Sequence, residues 1–425
     1  MKILVIGSGG REHAIIKKLK ENPAVTQLYA MPGNGGIAYD ALCLGGSPTD
    51  GKAALGHAKA YGIDFAVVSP DDPLVRGVAD TLRSAGIPTF GPSAQAAAIE
   101  GSKVFSKNLM KAYGIPTAEY DVFDNPAAAA SCIEKGNRYP VVIKADGLAL
   151  GKGVIIAQNL SEAQDALQHI MEDKIFGPSG NRVVVEEFLE GVEVTVLAFT
   201  DSKTIIPLVS SMDHKRAFDN DEGPNTGGMG VIAPNPWYTP EIAAECMARI
   251  FRPTIEAMNR EGRPFKGCLY FGLMLTGSGP KVIEYNCRFG DPEAQAVLPL
   301  LETDLLTILQ AVEETRLDKI TVRFRGGASC CVILASGGYP GSYQTGLPIT
   351  GLSQEQQDGV YVFHAGTALK EGVLVTAGGR VLGVTAWGDD LSQAIRRAYK
   401  EAAKIHFEDM YYRRDIGQKA GNMRS

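Results

Sequence analysis

Over the first hundred residues, short apolar runs suited to strands alternate with longer stretches whose apolar positions recur every three or four residues. The runs fall at 2–6, 27–30, 65–69 and 89–90, and the helical stretches include 11–20 and 74–85. This alternation predicts an α/β domain with a parallel sheet. From 101 to about 118, a helix and a proline-containing turn lead into a region with a different rhythm. Apolar runs at 141–145, 154–157, 183–189 and 192–200 are separated by glycine turns, which predicts a largely antiparallel unit. One helix is expected inside it, at 161–173, opened by a capping box in which Ser161 precedes Gln164 by three residues.

The stretch 213–234 is polar and shows little periodicity, and loops this long in compact domains are functional or disordered. Thr239 and Pro240 open the next helix as N-cap and first helical residue. A hairpin with strands 267–275 and 281–286 follows, then helices from Pro292 and Asp304. The remainder begins a strand at Ala328 and carries a strand at 380–386 and a helix at 391–405. The expected fold class is α/β and α+β multidomain: an N-terminal parallel α/β domain at 1–102, a core at 103–325 and a small C-terminal α+β domain at 326–425.

Composition narrows the function. A chain of 425 residues with 45% apolar content can bury several cores, and 42 Lys plus Arg against 48 Asp plus Glu give a net charge of -6. That charge provides no global field for nucleic acid or an anionic membrane, so an anionic ligand must be held locally. The longest near-continuous apolar stretch, 268–275, is far short of the roughly 18 residues needed to cross a bilayer. The opening residues lack the layout of a secretion signal, and the seven cysteines form no Cys-x-x-Cys pair, so reduced thiols and a cytoplasmic location are expected. Small-molecule partners, and a monomer or weak dimer, are expected. Glycine is in excess, 49 residues against a usual level of about 7%. It clusters at 7–10, 33–36, 147–153, 223–230, 326–327 and 378–379.

The first cluster joins a strand to a helix, which sets backbone N–H groups and a positive helix end toward a phosphate. A dinucleotide fingerprint needs glycine at position 12, where Glu12 stands, and an acid after the second strand, where the sequence reads Ala30-Met31-Pro32-Gly33-Asn34. A phosphate monoester site near Arg11 and His13 fits better, beside the plain alternative of a tight turn without ligand. The second cluster, Asp146-Gly147-Leu148-Ala149-Leu150-Gly151-Lys152-Gly153, misses the Walker spacing, and Gly153 replaces the hydroxyl residue that would reach magnesium. It joins two β runs, so a loop with Lys144 before it and Lys152 inside it can fold over a polyphosphate. Farther on, the strand period of two points Glu284 and Asn286 to one face. Both present oxygen, as magnesium prefers, and Arg288, Asp291 and Glu293 follow closely. The bland reading of each of these is the polar end of a turn. Cys287, Cys330 and Cys331 have no metal-ligand spacing and read as small core residues.

Taken together, GSGGREHA at 7–14, GPSAQAAAIEGSK at 91–103, VVIKADGLALGKGV at 141–154, DHKR at 213–216, GPNTGGMG at 223–230 and IEYNCRFGDPEAQ at 283–295 closely resemble the glycinamide ribonucleotide synthetase (phosphoribosylamine-glycine ligase) family of ATP-grasp enzymes. The likeness continues through ASGGYPG at 335–341, VFHAGT at 362–367, GGRVLGVTA at 378–386 and YYRRDIG at 411–417. It implies a pre-ATP-grasp domain at the N-terminus, a two-lobed ATP-grasp core with a mobile lobe at about 119–192, and a C-terminal domain packed on both. It also implies a carbon-nitrogen ligase of purine synthesis that uses ATP and Mg2+ or Mn2+. By family position, Lys103, Lys144, Gly151 and Lys152 would contact ATP phosphates, Glu186, Glu187 and Leu189 would border adenine, and Glu193 would take the ribose. Glu284 and Asn286 would hold the metal. Arg288 would steady the transferring phosphoryl group and, with Lys144 and Asp213, complete the catalytic set. Asp213, Lys215, Asn225, Thr226 and Gly227 would bind glycine and its acyl phosphate, Gly9, Gly10 and Arg11 would face the phosphoribosyl group, and Asp291 would be a further substrate-binding residue. Two departures stand out: Ser69-Pro70-Asp71 replaces the Gly-Pro-Glu of many relatives, and 267–275 contains none of the acidic metal ligands that other ATP-grasp enzymes carry on that strand.

Overall fold

A computed structural model describes residues 1–148, 153–352 and 358–421. The apolar run Lys2–Gly7 is the middle strand of a five-stranded parallel sheet ordered Leu42–Cys43, Gln27–Pro32, Lys2–Gly7, Phe65–Val68, Thr89–Phe90. Ile3 and Val5 enter one core cluster while Leu4 and Ile6 enter another, so both faces of this strand are covered. The stretch 74–85 is two helices, Asp71–Val75 and Val78–Ser84, because Gly77 takes φ +76 and breaks the ladder between them.

The second sheet has four antiparallel strands ordered Tyr120–Phe123, Val183–Glu187, Val141–Ala145, Val154–Ala157. Val141, Ile143 and Ala145 pack against helices Pro126–Gly136 and Leu160–Leu167, and the alternate residues Val142 and Lys144 line a cleft. Alternation thus splits one buried strand between core and cleft. The first of these helices went unread, and the second is capped by Asn159 rather than Ser161. Asn159 Oδ1 accepts the Glu162 N–H at 3.0 Å and Glu162 Oε2 accepts the Gln158 N–H at 2.9 Å, so Asn-x-x-Glu outcompetes Ser-x-x-Gln two residues later.

The run at 192–200 does not continue this sheet. Val192–Asp201 lies in a third sheet, ordered Ile205–Pro207, Val192–Asp201, Lys266–Thr276, Gly279–Asn286. Gly191 makes the crossing with φ +158, and a Cβ there would collide with the Leu275 carbonyl, so a side chain has no room. The polar stretch 213–234 is also ordered into strands. Arg216–Phe218 and Glu222–Asn225 form a hairpin, and Met212–Asp213 and Gly230–Ala233 join Ala328–Ala335, Arg380–Gly388 and Val360–His364 in one antiparallel sheet. The hairpin residues Glu222–Asn225 are all exposed, so no apolar period announces them, whereas Gly230–Ala233 is a buried strand of only four residues. Among the described residues no helix is long and apolar enough to cross a membrane.

Candidate active site

A cavity of about 760 Å3 opens between the second and third sheets and reaches the edge of the C-terminal one. The small sheet contributes Lys144, Glu186 and Glu187, with Leu189 just beyond the strand. Glu193 comes from the third sheet, and the helix Lys103–Ala112 brings Lys103 at its first residue. Asp213, Lys215, Asn225, Thr226 and Gly227 line the same space, as do Arg288 and Asp291. Gly147 and Gly153 line it too, whereas the expected contacts Gly151 and Lys152 lie outside the described residues.

Glu284 and Asn286 reach the cavity through a break in strand regularity. Gly272 pairs with Glu284, but the next residue, Leu273, pairs with Val282, so Ile283 is an extra residue. Val282 points into the core, and an unbroken strand would send Glu284 to the same side. The bulge returns Tyr285 to the core and turns Glu284 and Asn286 to the cavity. It also leaves the Ile283 carbonyl free to accept Lys144 Nζ at 3.1 Å.

Among the described residues, ten acidic side chains and seven Lys or Arg line the cavity, and several of them are paired. Lys144 Nζ lies 3.0 Å from Glu186 Oε1 and Lys107 Nζ lies 2.8 Å from Glu186 Oε2, all three side chains being buried. Burial lowers the Lys107 ammonium to about 8, even against the pull of Glu186. Burial pushes Glu284 upward, but Lys215, Lys144, Lys103 and Arg288 outweigh it and hold the carboxyl below its usual range. Asp213 behaves oppositely, raised well above the ordinary value by burial and then by Glu293, which Lys215 and Arg380 only partly offset. Lys215 pairs with Glu193 at 2.9 Å, and Lys103 Nζ donates to the Gly147 carbonyl at 2.9 Å. Arg288 sits 3.3 Å from Glu100 and 3.8 Å from Asp71, and its buried Nε has no hydrogen-bond partner among the described residues. Asp71, the shorter acid noted in the sequence, therefore still faces the cavity and the arginine.

The first glycine turn is arranged differently from expectation. Gly9 N–H donates to Glu12 Oε2 at 2.6 Å, and Arg11 N–H donates to Asp291 Oδ2 at 3.2 Å. The residue that spoils the dinucleotide fingerprint is thus the one that caps this helix. Gly10 is buried against Gln295, where a Cβ would clash. The Arg11 guanidinium turns inward to Glu12 and the Phe289 carbonyl, and His13 is buried between Asp40 and the His364 N–H. Gly9, Gly10 and Arg11 do not line the cavity; Asp291 is what connects them to it.

Family models for the three domains of phosphoribosylglycinamide synthetase match the chain in order: the N domain at 1–100, the ATP-grasp (A) domain at 101–294 and the C domain at 329–419. The chain belongs to the phosphoribosylglycinamide synthetase family. It is 47% identical to the phosphoribosylamine–glycine ligase of Caldanaerobacter subterraneus over 98% of this chain and 99% of that protein. It is 48% identical to the Agrobacterium fabrum enzyme of the same name, over 99% of each chain. The solved phosphoribosylamine–glycine ligase of Thermotoga maritima superposes with a TM-score of 0.86 at 34% identity, covering 98% of this chain and all of that one. A biotin carboxylase domain from Hydrogenobacter thermophilus shares the fold, with a TM-score of 0.75 at 18% identity over 96% of this chain and 91% of that one.

Several cavity residues escaped the sequence reading. Glu100 is buried, accepts the Cys287 N–H at 2.7 Å and pairs with Arg288 from nearly two hundred residues away. Lys107 and Tyr270, which also line the cavity, meet Glu186 and Thr195 across sequence distances that no local pattern reports, and Arg380 reaches Gly227 and Asp291 in the same way from outside the lining. Glu293 offered a signal, being an acid packed inside the dense polar run after Asn286.

Proposed function

We propose that this ligase joins glycine to 5-phosphoribosylamine at the expense of ATP, giving glycinamide ribonucleotide, ADP and phosphate. What supports this most is that one cavity holds cations for a polyphosphate, Lys103, Lys144 and Arg288, beside the amino-acid loop formed by Asp213 and 225–227. ATP lies with adenine along 186–189, its ribose at Glu193 and its phosphates toward Lys103 and Lys144. The glycine carboxylate attacks the γ-phosphorus as the bond to the β-phosphate oxygen breaks, which releases ADP and leaves glycyl phosphate. The phosphoribosylamine nitrogen then attacks the carbonyl carbon. Phosphate departs with its bonding electron pair, and the amine gives up one proton. Such transfer needs positioning and charge neutralisation rather than a protein nucleophile.

Glu284 and Asn286 suit a divalent cation, because both oxygen donors face the cavity and Glu284 is held ionised by the surrounding lysines and Arg288. Among the described residues no cluster of three or more His, Cys, Asp or Glu could hold a metal by itself, which fits Mg2+ or Mn2+ taking its remaining ligands from phosphate and water. Bound there, the ion would neutralise charge on the phosphate oxygens. Arg288, fixed by Glu100 and Asp71, keeps a free Nε donor for the transferring group. Asp213 accepts the glycine ammonium, a cation that favours the charged carboxylate against the burial that raises its pKa. ADP release that requires both glycine and freshly generated phosphoribosylamine is the expected result. Release indifferent to either substrate would overturn the assignment.

A further inference from the structure

Motifs at 335–341, 378–386 and 411–417 have no part in the chemistry above, yet side chains of the first two converge on one residue of the 223–230 loop, Gly227, and the third braces one of them. The Gly227 N–H donates to the Tyr339 hydroxyl at 3.1 Å, and the Gly227 carbonyl accepts from Arg380 Nη1 at 2.6 Å. The same nitrogen donates to the Asp291 carbonyl at 2.7 Å and approaches the Gly228 carbonyl at 3.4 Å. Arg380 Nη2 pairs with Asp291 Oδ1 at 3.3 Å. Tyr339 is itself fixed, because its carbonyl accepts the Tyr411 hydroxyl at 2.7 Å and its ring packs on Gly379. Glycine at 227 makes room for this arrangement, since a Cβ there would stand 3.0 Å from Arg380 Cζ. On its far side, Asp291 accepts the Arg11 N–H through Oδ2. Direct contacts therefore run from the 227–228 peptide, through Arg380 and Asp291, to the glycine turn at 7–10.

We propose that Tyr339 and Arg380 are positioning residues for the two amino-bearing substrates: Tyr339 sets Gly227 at the glycine pocket by accepting its N–H, and Arg380, through the carbonyl of the same residue, ties it to the turn on the phosphoribosylamine side. The inference rests on the function proposed above, with glycine at Asp213 and 225–227, and it takes the phosphoribosylamine to bind on the side of the 7–10 turn that Asp291 joins to the cavity. A planar guanidinium can hold a loop carbonyl and a carboxylate at once in fixed directions, which a lysine ammonium cannot reproduce. Neither side chain belongs to the nucleotide half of the cavity, so the two should act on glycine and phosphoribosylamine and leave ATP alone.

The test compares wild type, Tyr339→Phe and Arg380→Lys as full-length enzymes, with KM measured for all three substrates and Tm for each protein. Tyr339→Phe should raise the glycine KM roughly fivefold and leave the other two within about twofold, since it removes one hydroxyl contact to one loop. Arg380→Lys should raise the glycine and phosphoribosylamine KM values together, by about tenfold or more, with ATP within about twofold. An equal rise for ATP in either variant overturns the inference, as does a lower Tm with all KM values unchanged. If Arg380→Lys fails to fold, Tyr339→Phe decides the matter by itself. Wild-type ADP release without glycine would instead overturn the substrate placement and not the positioning role.

Discussion

Glu284 is the side chain on which the cavity's charge balance turns. Lys215, Lys144, Lys103 and Arg288 all bear on its carboxylate, and removing it leaves that cationic group without its shared counter-charge and without one of the two oxygen donors proposed for the metal. Glu284→Ala is accordingly expected to cut turnover by at least ~100-fold while Tm and circular dichroism stay near wild type. Near wild-type turnover at limiting magnesium would show that the metal lies elsewhere. Glu284, Asn286 and Lys144 were legible in the sequence because strand alternation and an adjoining polar run mark them. Glu100, by contrast, sits in the short helix Ala94–Gly101 and looks like any helical acid until Arg288 and the Cys287 N–H arrive from another part of the chain. Arg11 shows the opposite error, a cation that a phosphate reading turns outward and that the Phe289 carbonyl and Glu12 draw inward.

Elements deliver these residues through irregularities as much as through regular structure. The hairpin Lys266–Thr276 with Gly279–Asn286 was readable from its period and its turn, but the bulge at Ile283 that aims Glu284 into the cavity was not. A bulge changes which face a residue occupies without changing composition, so a pattern of two reads correctly on either side of it. Gly272, paired with Glu284, belongs to the same device. A Cβ there would stand 3.1 Å from Glu284 Cγ, and the glutamate would have to yield by a few tenths of an ångström. Gly272→Ala should therefore lower kcat roughly fivefold and raise the magnesium requirement, with little change in Tm. Unchanged magnesium dependence would mean that Glu284 tolerates the methyl group and that the glycine serves only packing. The hairpin at 216–225 escaped for another reason, since Glu222, Gly223, Pro224 and Asn225 are all exposed and no apolar period announces a strand.

At the scale of the whole molecule, buried histidines stand at the joints between segments distant in sequence. His13 accepts the His364 N–H at 2.8 Å across the seam between the N-terminal helix Gly10–Lys20 and the strand Val360–His364. His214 joins the polar stretch to the C-terminal segment, with Nδ1 3.1 Å from the Gly230 carbonyl and Nε2 accepting the Gly417 N–H at 3.1 Å. That pair of partners places the proton on Nδ1, so protonating Nε2 removes the acceptor and breaks the joint. Burial, followed by the charge of Arg413, lowers His214 to about 4, and the bond to the Gly230 carbonyl, with Asp221 and Asp415, recovers only part of the shift. Burial lowers His364 as well, to about 3, with His13 and Lys17 adding to it. A histidine lowered in the folded state binds its proton first in the unfolded chain, so stability is complete above pH 6.5 and is lost as pH falls from 6.5 toward the folded value. For His214 that window ends near 4 and amounts to roughly 3 kcal/mol. His214→Gln retains a donor and an acceptor but cannot titrate. The variant should be less stable than wild type at pH 7, yet its Tm should fall less steeply between pH 6.5 and 4.5. Parallel Tm curves across that range would show that acid opens the molecule somewhere other than the joint between 214 and 417.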